Sequence, residues 1–456
     1  MIHPSVDTAL VEKYNRPVPR YTSYPTVPYW DEQLPHAQWM NLFRDRFQEE
    51  YGSGMSLYIH LPFCESLCTY CGCNKKITIN HKAEPEYMAA LEKEWQLYLQ
   101  QMDRKPIIRE LHLGGGTPTF FSPGNLKRLV TMILKDCIIH PEYAFSIEGH
   151  PNNTTYEHLK TLYELGFRRI SYGVQDNDPE VQRIINRIQP FANVRAATEN
   201  ARSIGYESVN FDLIYGLPLQ TRASIERTIG QVMELMPDRI AFYSYAHVPW
   251  TSRAQRLFNE SHLPDPASKL DLYLTGQSLL LDKGYEDIGM DHFALPHDEL
   301  SKARAESRLH RNFMGYTVQN TGMLLGLGVS AISDVWNGFA QNDKTLHNYY
   351  TAVRNGELAI RKGYHLTAQD KAFRKYILDI SCHGQTQFQP EDRPLLDKYV
   401  FPRLAEPEKD GLCKVNWQGL KLTPLGHQFI RNVCSAFDLK MARQGKHATQ
   451  AFSRAI

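Results

Sequence analysis

No stretch of this chain is apolar for long enough to cross a bilayer, which excludes a helical membrane span. Neither charge is in excess: 51 Lys and Arg face 50 Asp and Glu, a formal net charge of +1. No global field draws a polyanion, so nucleic acid is not an expected partner. The first residues carry Asp7, Glu12, Lys13, Arg16 and Arg20 without an uninterrupted apolar core. A signal peptide is therefore not expected, and the cytoplasm is the expected compartment. There is no repeat at a solenoid period and no low-complexity segment. Cysteine is scarce, eight in 456 residues. In a long chain without a secretory signal that argues against a disulfide framework. What is present, 42% hydrophobic and 22% charged residues, is ordinary for a globular protein of two or three domains with ample core.

The scarce cysteines are concentrated. Cys64, Cys68, Cys71 and Cys73 fall within one loop, while Cys137, Cys382, Cys413 and Cys434 are isolated. The loop leaves SLYIHLP, an apolar, β-prone run that reads as a buried strand. A structural zinc site usually pairs two Cys-x2-Cys knuckles or adds histidines at fixed spacing, and no second knuckle exists here. Reduced, buried thiols remain an open reading of the cysteines taken alone. The other is an iron–sulfur cluster held by three thiolates, which leaves one iron open for chemistry.

From Ser56 to about Trp250 strand-like and helix-like runs alternate. The strands are SLYIHL, IRELHLG (Ile108–Gly114), AFSIEG (Ala144–Gly149), RISYGV (Arg169–Val174), SVNFDLIYG (Ser208–Gly216) and RIAFYSY (Arg239–Tyr245). Pro85–Met102, Thr154–Gly166 and Ala223–Met236 have helical periodicity. Successive βα units predict a parallel sheet with right-handed crossovers, and six are too few to close an eight-unit barrel. Each strand ends on a group it does not itself need: the cysteines, Gly114–Pro118, Glu148, Gln175, Asp212, and Tyr245–His247. Ligands bind at that edge in such folds. The GGGTP run is expected to let backbone approach a ligand.

The spacing Cys64-x3-Cys68-x2-Cys71, with Tyr70 before the last cysteine, resembles the signature loop of the radical S-adenosylmethionine (SAM) enzymes. GGGTP is similar to their glycine motif, with Gly116 and Thr117 where many members have an acid. Further strings narrow the resemblance to the oxygen-independent coproporphyrinogen III oxidases. They are RYTSYPT (Arg20–Thr26), GVQD (Gly173–Asp176), NFDLIYGLP (Asn210–Pro218), YAHVP (Tyr245–Pro249), GMDHFALP (Gly289–Pro296), HRNFMGYT (His310–Thr317) and LGLGVSAIS (Leu325–Ser333). Cys73 and the RYTSYPT start are features of that branch.

The resemblance implies a partial (βα)6 barrel in an α/β fold, with an N-terminal extension and lid (1–55), a catalytic domain (56–340) and a mainly helical, winged-helix-like C-terminal domain (365–456). It implies a [4Fe–4S] cluster on Cys64, Cys68 and Cys71. It implies SAM held by Tyr58, Gly115, Glu148, Gln175, Arg187 and Ile332. A second SAM would meet Tyr70, Cys73, Gly116, Thr117, Asp212 and Ala246. The implied substrate is coproporphyrinogen III, whose ring A and B propionates become vinyls. The substrate's charge calls for local cations, and Arg20, His292, His310 and Arg311 are the candidates. An electron donor such as flavodoxin or ferredoxin is implied, and a monomer is expected. One departure stands out: His150 occupies a position after Glu148 where the family pattern has an acid.

Elsewhere, proline-dense Arg16–Trp30 reads as a surface strap or as a lid carrying Arg20 and Tyr21 to a site. His36–Tyr51 and the charged stretch Asp343–Lys362 read as helical, and Leu270–Gly289 as helix, turn and strand. Gly411–Val433 reads as strand, turn, strand and helix, here a cover over the catalytic domain and not a DNA reader. Competing readings are an anaerobic heme-degrading radical SAM enzyme, a heme chaperone without turnover, and a zinc-stabilised structural protein.

Overall fold

The structure is a computed structural model that describes residues 8–31, 34–444 and 452. Parts of the expected N-terminal extension and C-terminal unit lie outside the described residues.

All six expected strands form. They are β1 (Met55–Leu61), β2 (Ile107–Gly115), β3 (Ile138–Gly149), β4 (Phe167–Gln175), β5 (Ser208–Tyr215) and β6 (Arg239–Ser244), paired in parallel in chain order. A seventh parallel strand, β7 (Leu324–Leu327), adds to the free edge of β1. LGLGVSAIS thus closes the sheet's flank by backbone pairing. Antiparallel strands extend both edges, giving one 12-stranded sheet whose edge strands, Ile360–His365 and Glu286–Gly289, do not pair with each other. The barrel is open, as the unit count predicted.

The strands alternate in a way that sets both core and cavity. Leu57, Ile59, Leu61, Leu111, Leu113, Ile147, Val209, Phe211 and Ile240 are buried in the main core, beneath the helices that connect the strands. The alternate residues are polar: Tyr58, Glu110, His112, Ser146, Glu148, Arg169, Ser171, Asn210, Asp212 and Arg239. Closed barrels fill their interior with branched apolar side chains. This one keeps a polar lumen.

The crossover helices start and stop on local chemistry. Thr155 caps Tyr156–Glu164 in a reciprocal box with His158, and Gly166 leaves it at φ +96°. Such a cap contributes about 1 kcal/mol. The helix His36–Glu49 buries Trp39, Phe43 and Phe47 in the main core, so this part of the extension packs on the sheet. Asp343–Lys362 departs from expectation. Only Leu346–Arg354 is helical, and Ile360–His365 is an edge strand of the sheet. Gly356, at φ +77°, ends the helix, and strand pairing overrides the charged composition.

A second core joins the C-terminal unit to the N-terminal strap: Val11, Tyr14, Tyr21 and Tyr24 pack with Phe373, Ile377, Phe429 and Phe437. The unit is mainly helical with a three-stranded antiparallel sheet formed by Gln385–Gln387, Gly419–Leu422 and Cys413–Val415. Arg431 donates to Val18 O at 2.6 Å, and Tyr21 Oη donates to Asp438 Oδ2 at 3.1 Å. The strap is buried between two bodies. Tyr21 turns into the C-terminal core, while Arg20 turns to the barrel rim.

Glu94, on the helix Ala83–Leu99, ties the first core to β7. Its fully buried carboxylate accepts from Gly328 N–H at 2.7 Å, Tyr349 Oη at 2.7 Å and Asn342 Nδ2 at 2.6 Å. Burial nevertheless pushes its pKa up from 4.5 to about 7. Between those values the folded chain keeps a proton that the unfolded chain has released. Stability from this group therefore falls as pH rises across that window, by at most about 3 kcal/mol. Glu94→Gln is expected to flatten that fall, read as urea midpoints at about pH 5 and about pH 7.5.

Candidate active site

The C-terminal ends of the parallel strands converge on one cavity of about 460 Å³. Its walls carry Cys64, Cys68, Cys71 and Cys73 from the loop after β1, and Gly115, Gly116 and Thr117 from the end of β2. Glu148, Gln175, Arg187, Asp212 and Tyr70 complete the ring of expected residues.

The thiols sit among donors. Thr117 Oγ1 donates to Cys64 Sγ at 3.3 Å, and Arg187 Nη1 donates to Cys68 Sγ at 3.6 Å. A hydrogen bond from the Cys73 thiol, aided by Lys75, pulls Cys71 down to about 6, whereas burial pushes Cys64 up to about 11. Cys73 itself is exposed. Among the described residues no three His, Cys, Asp or Glu side chains converge on a single metal ion. The three thiols of the motif line one cavity. They could hold a multi-iron cluster, with the Thr117 and Arg187 donors stabilising thiolate sulfur.

The loop is fastened from four sides. Thr69 N–H donates to Ile185 O at 3.0 Å, and Asn186 Nδ2 donates to Leu67 O at 2.8 Å. Gln255 Nε2 bridges Tyr70 O at 2.9 Å and Ala246 O at 3.1 Å, which is how Ala246 is joined to the site. His60 Nε2 contacts Asn74 O at 2.9 Å, and Tyr58 Oη contacts His60 Nδ1 at 3.0 Å. Tyr58 is therefore braced against the loop through His60 and does not itself line the cavity.

The glycine run, whose Gly115 and Gly116 line the cavity, is also packed against the chain itself. Gly115 has φ +118°, and a Cβ there would meet the His60 ring at 2.7 Å. A Cβ on Gly116 would lie 2.6 Å from Pro62 O. The glycines permit close approach of β2 to the chain's own cysteine loop, sealed by Gly116 N–H to Leu61 O at 2.8 Å and Thr117 N–H to Phe63 O at 3.0 Å. The groups exposed to a ligand are those left over from this packing.

Glu148 Oε2 accepts from Gly115 N–H at 3.0 Å and Oε1 faces His112 Nε2 at 3.4 Å. Burial raises its pKa, but these donors outweigh burial and hold it below the usual carboxylate range. Asp212 accepts from Ser171 Oγ at 3.1 Å and Asn210 Nδ2 at 2.9 Å. Burial, then the neighbouring Glu148, push Asp212 up to about 6. Gln175 holds a left-handed backbone at φ +67°, a strained conformation for a side-chain-bearing residue. Arg187 Nη2 donates to Gly173 O at 2.5 Å while its buried Nε has no partner. His150 absorbs the departure from the family pattern locally: its Nδ1 accepts from Asn152 N–H at 3.1 Å, a turn-closing bond that a carboxylate also makes.

Not every expected residue meets the cavity. Ile332 lies on the strand Ile332–Asp334 and packs with Trp30, Phe339 and Leu366. Arg20 donates to Ser244 O at 2.9 Å and pairs with Asp291 at 3.2 Å, its guanidinium over Tyr243. His292 lines a deeper cavity of about 160 Å³ inside the barrel. Arg311 stacks on Tyr316, 4.6 Å from the ring centroid. His310 is half-buried and, through desolvation and then Arg374, pushed down to about 4. Sequence reading passed over Tyr243, which lines both cavities, and Arg169 and Arg239, which line the deeper one. The signal was available: each falls on the polar alternation of its strand.

Residues 58–232 match the model of the radical SAM superfamily. The oxygen-independent coproporphyrinogen III oxidase of Pseudomonas aeruginosa is 38% identical over 99% of this chain and 98% of its own. That of Escherichia coli is 39% identical over 99% of this chain and 98% of its own. A solved structure of coproporphyrinogen III oxidase from Escherichia coli, titled as a radical SAM enzyme, superposes with a TM-score of 0.88 at 37% identity, covering 96% of this chain and 100% of the other.

Proposed function

This chain belongs to the oxygen-independent coproporphyrinogen III oxidases of the radical SAM superfamily, and from that premise we propose that it oxidatively decarboxylates coproporphyrinogen III, with a [4Fe–4S] cluster and SAM, in heme biosynthesis. The observation that carries the reading is the gathering of three motif thiols, the Gly115–Thr117 edge, Glu148, Gln175 and Arg187 on one cavity. Together with whole-length similarity, this leaves little room for a zinc-stabilised scaffold.

When bound, the cluster and SAM supply one-electron cleavage and hydrogen-atom abstraction from a propionate β-carbon. The chain's residues supply the rest. Cys64, Cys68 and Cys71 would hold three irons and leave the fourth open. Glu148, kept ionised by Gly115 N–H and His112, would receive the SAM ammonium; Arg187, with an unpartnered Nε, and Gln175 would take its polar groups. Tyr58 and Ile332, both outside the cavity lining, would support this SAM from the neighbouring strands. A second SAM would use Tyr70, Cys73, Gly116, Thr117, Asp212 and Ala246, all on the cavity wall or tied to it. Arg20, His292, His310 and Arg311 would face the substrate's carboxylates. Enclosing the reacting centre would exclude water and oxygen and hold the propionate in a productive pose.

In this reading residues 1–55 strap the assembly, 56–340 carry the chemistry and 365–456 cover the substrate. Residues 341–364 continue the catalytic sheet. No helix among the described residues is long and apolar enough to cross a membrane. A cytoplasmic monomer served by a flavodoxin or ferredoxin fits these features.

Anaerobic incubation with SAM, a low-potential reductant and coproporphyrinogen III is expected to give protoporphyrinogen IX, CO2 and 5′-deoxyadenosine. Heme consumption without CO2 would indicate heme degradation. Tight heme binding without either product would indicate a chaperone, and either result overturns the assignment.

A further inference from the structure

The deeper cavity opens from the cysteine cavity, sharing Glu148, Ser171, Asp212 and Tyr243 with it. Around it the structure leaves an uncommon number of buried donors unused. Among the described residues eleven buried side-chain nitrogens and oxygens have no partner, and five of them belong to Arg169 (Nε), Arg239 (Nη2), His292 (Nδ1) and Arg311 (Nε and Nη1). Arg169, Arg239 and His292 line the cavity directly. Arg311 stands behind its rim, stacked on Tyr316, against which His292 packs edge-on at 5.3 Å. Buried polar atoms in folded proteins are nearly always satisfied, so a cluster of exceptions needs an occupant.

The local charges say which kind. Asp298 is taken up by Arg239 Nε, 2.8 Å from both carboxylate oxygens, and by Ser208 Oγ at 3.2 Å. Glu110 accepts from Ser56 Oγ at 2.8 Å and Thr317 Oγ1 at 3.0 Å, and reaches Arg169 only at 3.9 Å. Asp291 is paired with Arg20 at 3.2 Å. Arg311 is buried and has no carboxylate partner among the described residues. Arg169, Arg239 and Arg311 thus keep unpartnered N–H donors after the nearby carboxylates are placed, and a further anion would satisfy them. A buried guanidinium lacking a counter-ion is costly until one arrives.

We propose that this cluster is a clamp for a substrate propionate that is not lost in the reaction. The inference rests on the function proposed above, whose substrate carries four propionates, two of which survive. Two arguments select a surviving one. Arg169 lies two residues, about 7 Å along the strand, below Ser171, the lowest β4 residue that lines the cysteine cavity. A carboxylate gripped here therefore belongs to the edge of the macrocycle turned away from SAM. Ion pairs also stabilise a carboxylate as an anion, which opposes its departure as CO2 with release of an electron. The reacting propionate needs a less cationic place, and it finds one beside Glu148 and Asp212. Arg169 and Arg239 are thereby substrate-positioning residues, and Arg311 with His292 completes the clamp.

The test is equilibrium binding of porphyrin probes to anaerobically reconstituted holoenzyme, read by fluorescence quenching. Coproporphyrin III carries all four propionates. Mesoporphyrin IX keeps only the two on rings C and D, and its dimethyl ester has no free carboxylate. Wild type is expected to bind both acids, and the ester at least about tenfold more weakly. Arg311→Gln and Arg169→Gln are each expected to weaken both acids about tenfold and leave the ester unchanged. Equal loss for the ester would make the cluster structural. Loss confined to coproporphyrin III would assign it to a reacting propionate, and no loss would remove it altogether; each overturns the clamp. Should either variant fold poorly, the acid-against-ester comparison on wild type and His292→Gln still decide. Acid-selective binding by a chain that makes no protoporphyrinogen would sink the proposed reaction and leave the clamp standing.

Discussion

Cys68→Ala is expected to abolish turnover and strip iron and labile sulfide to background while the fold survives. Cys68 is half-buried on a loop and takes no part in either core. Its thiol accepts from Arg187, which keeps its grip on Gly173 O, and its carbonyl bond from Cys71 N–H is untouched by the substitution. The structural cost should stay within about 1 kcal/mol, since the loop remains fastened through Thr69, Asn186 and Gln255. The chemical cost is total, because two thiolates cannot hold a cluster that needs three protein ligands. Cys73→Ser supplies the contrast. Cys73 is exposed and hydrogen-bonded to Cys71, so its replacement should keep iron and sulfide near wild-type content and lower turnover. Iron analysis beside a product assay separates the two variants. Parallel loss of iron in both would make Cys73 a ligand.

Arg374→Ala is expected to destabilise the chain by about 3–5 kcal/mol, the largest single effect on stability. Asp334 ends an edge-side strand of the sheet, and Arg374 reaches it from the first helix of the C-terminal unit, Ala368–His383. The pair is bidentate, and both side chains are buried, with 9% and 7% exposure. Arg374 also stacks on Trp336 at 4.4 Å and Phe339 at 5.1 Å. Removing the arginine leaves Asp334 as an uncompensated charge in a dry junction and opens a cavity beside two aromatic rings. Replacing both partners, Asp334→Leu with Arg374→Met, should cost much less than Arg374→Ala alone, because no charge is then stranded. Urea unfolding at unchanged slope provides the reading. Equal cost in the single and double variants would mean that packing, and not charge, holds the junction.

The parallel strands were legible because buried β-strands in a βα fold announce themselves by apolar runs bounded by turn residues. The polar half of each alternation was legible too, yet only strand ends were read from it. Glu148 and Asp212 were found at the ends of β3 and β5; Arg169 and Arg239, near the starts of β4 and β6, were not. β7 escaped because it is a four-residue strand with a glycine inside it, and its identity comes from pairing with β1. Asp343–Lys362 misled for the opposite reason: charge suggested a solvated helix where the sheet edge required a strand. Proline in the strap excluded a helix, but nothing local could show that Tyr21 and Arg20 point into different bodies.

The sequence by itself determined the chemistry. Three cysteines at that spacing, on a loop leaving a buried strand, mark the proposed cluster site, because residue identity and spacing are covalent properties. Tertiary structure alone decided which distant residues share a cavity. It turned the glycine run against the chain's own cysteine loop, set Ile332 outside the cavity lining, and left buried polar atoms of Arg169, Arg239, His292 and Arg311 without partners among the described residues. Burial and pairing are relations between segments brought together by folding, and no single stretch of sequence contains them.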